Sequence, residues 1–315
     1  QRSARPRHTR DMADTVLGGL DWGGTKIEVV AMTPDGAELF REREDTPRGD
    51  YAACMRVMAG LAERVEREIG PFDRVGVGIP GSIDPTTGLG KGASSTWMIG
   101  QPVEQDLREA LGGRRVRAVN DVDALVGSEA RDGAGKGYRF VFAANFASGV
   151  GGGIAVDGRV HSGRNNNAAD WGHNQLPWPN GDELPGPSCW CGLNGCIETW
   201  CSGRAFQAQY EEATGERRHG SAIIELARAG DSLAAELLDR YIGRVARGLA
   251  MIVNAMDPDI FVFGGGMSNV DELYERLPER ILQYTFTTVF TTPIVKSVHG
   301  DSSGVRGAAW LWAEE

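Results

Sequence analysis

Val16-Leu-Gly-Gly-Leu-Asp21-Trp-Gly23-Gly24-Thr25-Lys26-Ile-Glu-Val-Val-Ala31 places glycines and small polar residues between two short apolar runs. That is the pattern of two strands joined in a hairpin. Gly23 and Gly24 let backbone N–H groups come close to an anion, Thr25 and Lys26 can add donors, and Asp21 can hold a hydrated magnesium ion. Alone, the turn suits a plain hairpin as well as a phosphate site. The same grammar returns in Phe140-Val-Phe-Ala-Ala-Asn-Phe146-Ala147-Ser148-Gly149-Val-Gly151-Gly152-Gly153-Ile-Ala-Val156, which reads as an internal duplication. Two such hairpins facing each other across a cleft would clamp a polyphosphate from both sides, with Ser148 and Gly149 at the second tip.

The 315 residues can bury a large core and predict two domains, and a composition 41% hydrophobic and 24% charged is that of a soluble globular chain. No apolar run reaches the roughly eighteen residues of a membrane span. A net charge of -10 argues against a partner recognised through a phosphate backbone. The expected compartment is the cytoplasm, with neither nucleic acid nor membrane as partner. Residues 1–15, Arg-rich at the start and without an apolar core, are expected to be a disordered extension rather than a secretory signal.

Between the hairpins, Tyr51 to Ile69 carries apolar residues at helical spacing and predicts an amphipathic helix, with Cys54 in its core face. Arg74-Val-Gly-Val-Gly-Ile-Pro80-Gly81 predicts a buried strand ending in a turn, where the Gly81 backbone would face a substrate. Gly90-Lys91-Gly92 and Gly135-Lys136-Gly137 lack the spacing and the following hydroxyl of a P-loop. Val116 to Ala130 predicts a strand running into a helix, with Asn120 and Asp121 at the junction. That is the carboxyl edge where open α/β sheets place ligands; the alternative role for Asp121 is a helix cap.

Cys189-Trp-Cys191-Gly-Leu-Asn-Gly-Cys196-Ile-Glu198 crowds three thiols together, and Asp170-Trp-Gly-His173 brings an imidazole shortly before them. A Cys₃His set suits tetrahedral zinc, and with all four positions filled by protein the metal is a scaffold that holds the neighbouring carboxylates Asp170 and Glu198. The alternatives are a disulfide or reduced core thiols. An odd count of five cysteines and the close spacing of Cys189 and Cys191 disfavour a disulfide. Cys201 is near enough in sequence to compete as a ligand.

Towards the end, Ser221 to Met256 predicts two helices broken near Gly230-Asp231. Asp257 to Met267 predicts a strand with a glycine turn, where Gly265 and Gly266 would let a nucleoside lie against backbone. Asp271 to Gln283 predicts a helix, and Gly304 to Trp312 a small-residue helix returning to the first domain.

In fixed order, Asp21-x-Gly-Gly-Thr25, Asn120-Asp121, Gly149-x-Gly-Gly-Gly153, His173 with Cys189-x-Cys-Gly-x-x-Gly-Cys196-x-Glu198, and Gly264-Gly-Gly resemble the ROK family of bacterial sugar kinases and sugar-responsive repressors. The resemblance runs from Leu17 onward. Trp171 to Trp178 and Ser94-Ser-Thr-Trp-Met-Ile-Gly-Gln-Pro102 look most like its fructokinase and mannokinase branch.

The resemblance implies an α/β fold of two actin-like (RNase H-like, hexokinase-type) domains with a ligand cleft between them, and a homodimer. Residues 16–122 with 300–315 would form the first domain and 123–299 the second, with the zinc motif. Asp121 would be the general base on the 6-hydroxyl of the sugar. Asn120, Asp170, His173 and Glu198 fall at sugar positions, His173 also at a zinc position with Cys189, Cys191 and Cys196. Gly23, Gly24, Thr25, Ser148 and Gly149 fall at ATP phosphate positions, and Gly265 and Gly266 beside the nucleoside.

Three departures stand out: Asp170 where the family has Glu, Ser94 where relatives carry Asn, and Ala147-Ser148-Gly149 in place of Gly-Thr-Gly. Two shortened sugar contacts suggest a roomier pocket. The expected activity is therefore ATP- and magnesium-dependent phosphorylation of fructose, mannose or a related hexose. The first alternative is an amino or N-acetylamino hexose, and the second a catalytically weak sugar-binding protein. A repressor would carry a helix-turn-helix ahead of the first hairpin, and the hairpin's start at Val16 speaks against that reading.

Overall fold

The computed structural model describes residues 16–93, 95–300 and 303–313. The extension expected over residues 1–15 and the sugar contact expected of Ser94 lie outside the described residues.

The chain divides into two compact units, one running to Asp121 and resuming at Val305, the other starting at Val122 and ending at Gly304. In the first, β1 (Leu17–Trp22), β2 (Lys26–Met32) and β3 (Glu38–Asp45) form an antiparallel meander. Helix α1 (Tyr51–Ile69) leads to β4 (Arg74–Ile79), then to the short pair β5 (Ser82–Ile83) and β6 (Gly90–Lys91), helix α2 (Val103–Ala110) and β7 (Arg115–Asn120). The sheet order is β3-β2-β1-β4-β7, with β1, β4 and β7 parallel.

Helix α3 (Asp121–Arg131) opens the second unit, where β8 (Phe140–Phe146), β9 (Val150–Val156) and β10 (Arg159–Val160) make another meander. A long irregular stretch precedes helices α4 (Ile197–Cys201), α5 (Gly203–Thr214), α6 (Gly220–Arg228) and α7 (Ser232–Met256). Strand β11 (Ile260–Gly264), helix α8 (Asp271–Leu282) and β12 (Ile294–Lys296) complete the order β10-β9-β8-β11-β12. The order and strand directions repeat those of the first unit, so the duplication heard in the two hairpins extends to whole sheets.

Both sheets are covered on two faces, which is why their strands read as apolar runs rather than strict alternations. In the second unit Phe142, Ala144, Phe146, Phe261 and Phe263 face the α4–α8 side, while Val141, Ala143, Ile260 and Val262 pack with Val122, Val126 and Ala130 of α3. In the first unit Leu20, Trp22, Val29, Val77 and Ile79 pack with α1 and α2. The last helix, α9 (Ser303–Trp310), covers the opposite face through Val305, Ala309 and Trp310. Gly19 and Gly76 permit that approach: a Cβ at Gly76 would stand 1.7 Å from the Ala308 carbonyl oxygen, and one at Gly19 2.3 Å from that of Val305.

Beyond Leu39 and Phe40 the strand β3 is charged throughout. Arg41 and Arg43 turn to Glu28 on one face, while Glu42 and Glu44 meet Arg64 of α1 on the other. The break between α6 and α7 falls at Asp231, whose carboxylate accepts the Ala234 amide at 2.8 Å.

Candidate active site

The first glycine tip is a tight turn in which the Gly23 amide donates to the Lys26 carbonyl at 2.9 Å. A Cβ at Gly23 would lie 2.9 Å from that same oxygen, so the turn needs glycine there. The Thr46 hydroxyl donates to the Gly23 carbonyl at 2.7 Å, Arg48 Nε to that of Gly24 at 3.0 Å, and the Thr46 amide to that of Thr25 at 3.0 Å. In a trans peptide the N–H opposes the preceding carbonyl. Tying these three carbonyls to one side therefore turns the amides of Gly24, Thr25 and Lys26 to the other, as anion binding requires. Thr46 and Arg48 carry no motif, and the sequence reading missed them.

Asp21 pairs with Glu28 across β1 and β2. Burial first, then the charges of Asp121 and Glu28, lift the Asp21 carboxyl to about 7 against the pull of Lys26. Asp121 is thus close enough to the first hairpin for its charge to act on Asp21, although a hundred residues separate them in sequence. At the β7–α3 junction Asn120 Nδ2 donates to the Gly81 carbonyl at 3.0 Å, joining two of the expected substrate positions. Gly81 has φ of 143°, and a Cβ there would meet Ala93 at 2.8 Å.

In the second unit Gly151, Gly152 and Gly153 lie inside β9. A Cβ at Gly153 would come 2.6 Å from the Val122 carbonyl oxygen, and one at Gly152 2.5 Å from that of Ala169. These glycines bring α3 and the Ala169–Trp171 segment against the sheet. The tip itself, Ala147 to Gly149, is anchored by the Gly203 amide donating to the Ala147 carbonyl at 2.8 Å.

Beside that tip a cavity of about 670 Å³ is lined by Phe146, Ser148, Arg204, His219, Gly266 and Met267, among others. It joins Ser148 to Gly266, two positions expected to bind ATP. Gly265 next to it has φ of 78° and no room for a side chain, its Cβ falling 2.4 Å from the Phe146 carbonyl oxygen. Arg204 and His219 have no signal in sequence, because α5 and the start of α6 bring them there.

Trp171 and Gly172 are buried against β9: the Trp171 indole donates to the Gly151 carbonyl at 2.9 Å, and a Cβ at Gly172 would stand 2.0 Å from that of Val150. This seating fixes the two flanking residues, exposed Asp170 and half-buried His173. The His173, Cys189, Cys191 and Cys196 donor atoms all lie within 4.8 Å of one another. His173 Nδ1 is 3.5 Å from Cys189 Sγ, and Cys191 Sγ 3.6 Å from Cys196 Sγ. Zinc–sulfur bonds of about 2.3 Å in a tetrahedron separate donors by comparable distances, so the residues fit a structural zinc ion. Cys201, expected as a possible competitor, is fully buried in the helical core and stands outside this cluster.

Glu198, near the start of α4, accepts the Val150 amide at 2.9 Å on Oε2 and the Trp190 indole at 2.7 Å on Oε1. One carboxylate thus spans the glycine hairpin and the cysteine loop. Under that loop Glu183 is buried with Arg244 and Arg247 of α7, at 2.8 Å from each.

A duplicated mixed α/β sheet bearing two glycine tips and a carboxylate at a strand–helix junction defines the class of an actin-like phosphotransferase. Residues 17–315 match the ROK family, and the chain belongs to it. It is 38% identical over 297 residues to the N-acetyl-D-glucosamine kinase of Vibrio atlanticus, covering 93% of this chain and 98% of that one. The ROK hexokinase of Thermus thermophilus has a TM-score of 0.82 at 30% identity, covering 94% of this chain and 97% of its own. The ROK family glucokinase of Streptomyces griseus, solved with glucose and AMPPNP, has a TM-score of 0.80 at 25% identity, with 95% and 100% covered. The protein is an ATP-dependent sugar kinase with the actin-like two-domain fold. No helix among the described residues is long and apolar enough to cross a membrane.

Proposed function

We propose that this kinase transfers the γ-phosphoryl group of MgATP to the 6-hydroxyl of N-acetylglucosamine. The observation that carries the reading is the 38% identity, end to end, to a relative named for that activity. It favours the N-acetylamino alternative over the fructose or mannose expected from the Trp171–Trp178 segment. The shortened Asp170 side chain agrees with a pocket that admits a group larger than a hydroxyl.

Asp121 accepts the proton of the 6-hydroxyl as its oxygen attacks the γ-phosphorus and ADP leaves. Asn120, held to the Gly81 carbonyl, binds the sugar beside it together with Asp170, His173 and Glu198. The turn at Gly23, Gly24, Thr25 and Lys26 and the tip at Ser148 and Gly149 bind the phosphates, with Asp21 towards magnesium. Gly265 and Gly266 border the nucleoside. Magnesium, when bound, neutralises phosphate charge, and zinc on His173, Cys189, Cys191 and Cys196 holds the sugar loop. The reading includes a cytoplasmic homodimer.

The test is ADP release with ATP and magnesium against fructose, mannose, glucose, N-acetylglucosamine, N-acetylmannosamine and glucosamine. The highest kcat/KM is expected with N-acetylglucosamine. A higher value with fructose or mannose would return the assignment to the other branch.

A further inference from the structure

Between two expected metal ligands the chain needs only backbone, yet residue 190 is tryptophan. The residue is 52% exposed, so core burial does not account for it. What the side chain does is specific. Nε1 donates to Glu198 Oε1 at 2.7 Å, and the ring meets the His173 imidazole edge-on, with centroids 4.7 Å apart and planes at 88°. Val150 N takes the other Glu198 oxygen at 2.9 Å, so the carboxylate is gripped at both ends and its plane is set.

A carboxylate anchored on one lone pair of each oxygen offers the remaining ones in fixed directions. Without Trp190, Oε1 would be free to swing about the end held by Val150. We propose that Trp190 is a positioning residue of the sugar site: it orients Glu198, with His173 edge-on beside it, and thereby sets affinity for the sugar rather than for ATP. The inference rests on the assignment of Glu198 to the sugar under the proposed function.

The experiment uses the full chain and the sugar the wild type turns over best, so an error in naming that sugar leaves the test intact. Trp190→Phe, which keeps a ring and loses the N–H, is expected to raise the sugar KM about tenfold, the usual scale for one hydrogen bond to a charged group. The ATP KM should stay within about twofold and the zinc content per chain should be unchanged. Trp190→Tyr, with a hydroxyl donor, should recover part of the loss. On a Glu198→Gln background, Trp190→Phe should add less than about twofold, because residues acting through one group are not additive.

An unchanged sugar KM, parallel rises in both KM values, or full additivity with Glu198→Gln would overturn the role. Loss of zinc in both the Phe and Tyr variants would overturn it too, by making Trp190 part of the metal scaffold. A wild type inactive on every sugar would instead sink the functional reading beneath it.

Discussion

Asp21 and Glu28 stand directly opposite each other on β1 and β2, two carboxylates on one face of the first sheet. Glu28 is fully buried and takes Arg41, Arg43 and Lys26 as ionic partners. Asp21 is left with the unfavourable share: burial first, then Asp121 and Glu28, lift its carboxyl to about 7 against the pull of Lys26.

A pH dependence of stability follows. The folded chain keeps a proton on Asp21 that the unfolded chain loses at the ordinary carboxylate pKa. This contribution is therefore whole below that ordinary range and is lost as pH rises through about 7. In magnesium-free buffer the Tm of the wild type should fall relative to Asp21→Asn between about pH 5 and about pH 8. Parallel Tm curves for the two proteins would remove the argument.

Replacing the proposed base is the direct test of Asp121. Asp121→Asn should lower kcat by roughly 10²–10⁴ with the fold intact. A loss below about tenfold would leave the residue a helix cap at the start of α3.

Thr46→Val keeps the side-chain shape and deletes the hydroxyl that holds the Gly23 carbonyl. The ATP KM should rise about threefold to tenfold, as expected for one lost neutral hydrogen bond, with the sugar KM little changed. Equal rises in both would mean that the turn serves more than the phosphates.

The cysteine loop should carry one zinc per chain by elemental analysis, and Cys196→Ser should lose it along with thermal stability. Since the metal is placed as scaffold, adding a chelator should lower the Tm in step with activity. Full activity in protein freed of metal would contradict the assignment.

Glu183 sits between Arg244 and Arg247. Burial alone would raise its carboxyl, but the bonds from Arg247 and Arg244 win and hold it down to about 2. Its stabilising share is present above the ordinary carboxylate range and lost only as pH falls towards about 2. Glu183→Leu leaves two buried guanidinium groups without their anion and should destabilise by about 3–5 kcal/mol, measurable by denaturant unfolding. A loss under about 1 kcal/mol would show water reaching the arginines instead.

Read alone, the sequence determined the elements whose residues are neighbours in the chain. Both hairpins, α1, the β7–α3 junction at Asn120-Asp121, and the break before α7 follow from local periodicity and from glycine or capping chemistry. The Cys₃His donors were legible because three of the four fall within eight residues of one another. The charged strand β3 was not, since its pattern makes sense only once Glu28 and Arg64 flank it.

Only tertiary structure decided the rest. Gly152 and Gly153 look like tip glycines in one dimension, and nothing in the strand readings of Gly19 and Gly76 shows why they are glycine, yet all four lie within strands where another segment's backbone comes too near for a Cβ. Thr46 and Arg48 acquire a role only because β3 returns beside β2, and Arg204 and His219 because α5 and α6 fold back on the second glycine tip. Glu183 meets its arginines 61 and 64 residues downstream. Periodicity and spacing report forces that act along the chain; burial, charge pairing and steric fit act between segments, and they take effect only after the sheets have formed.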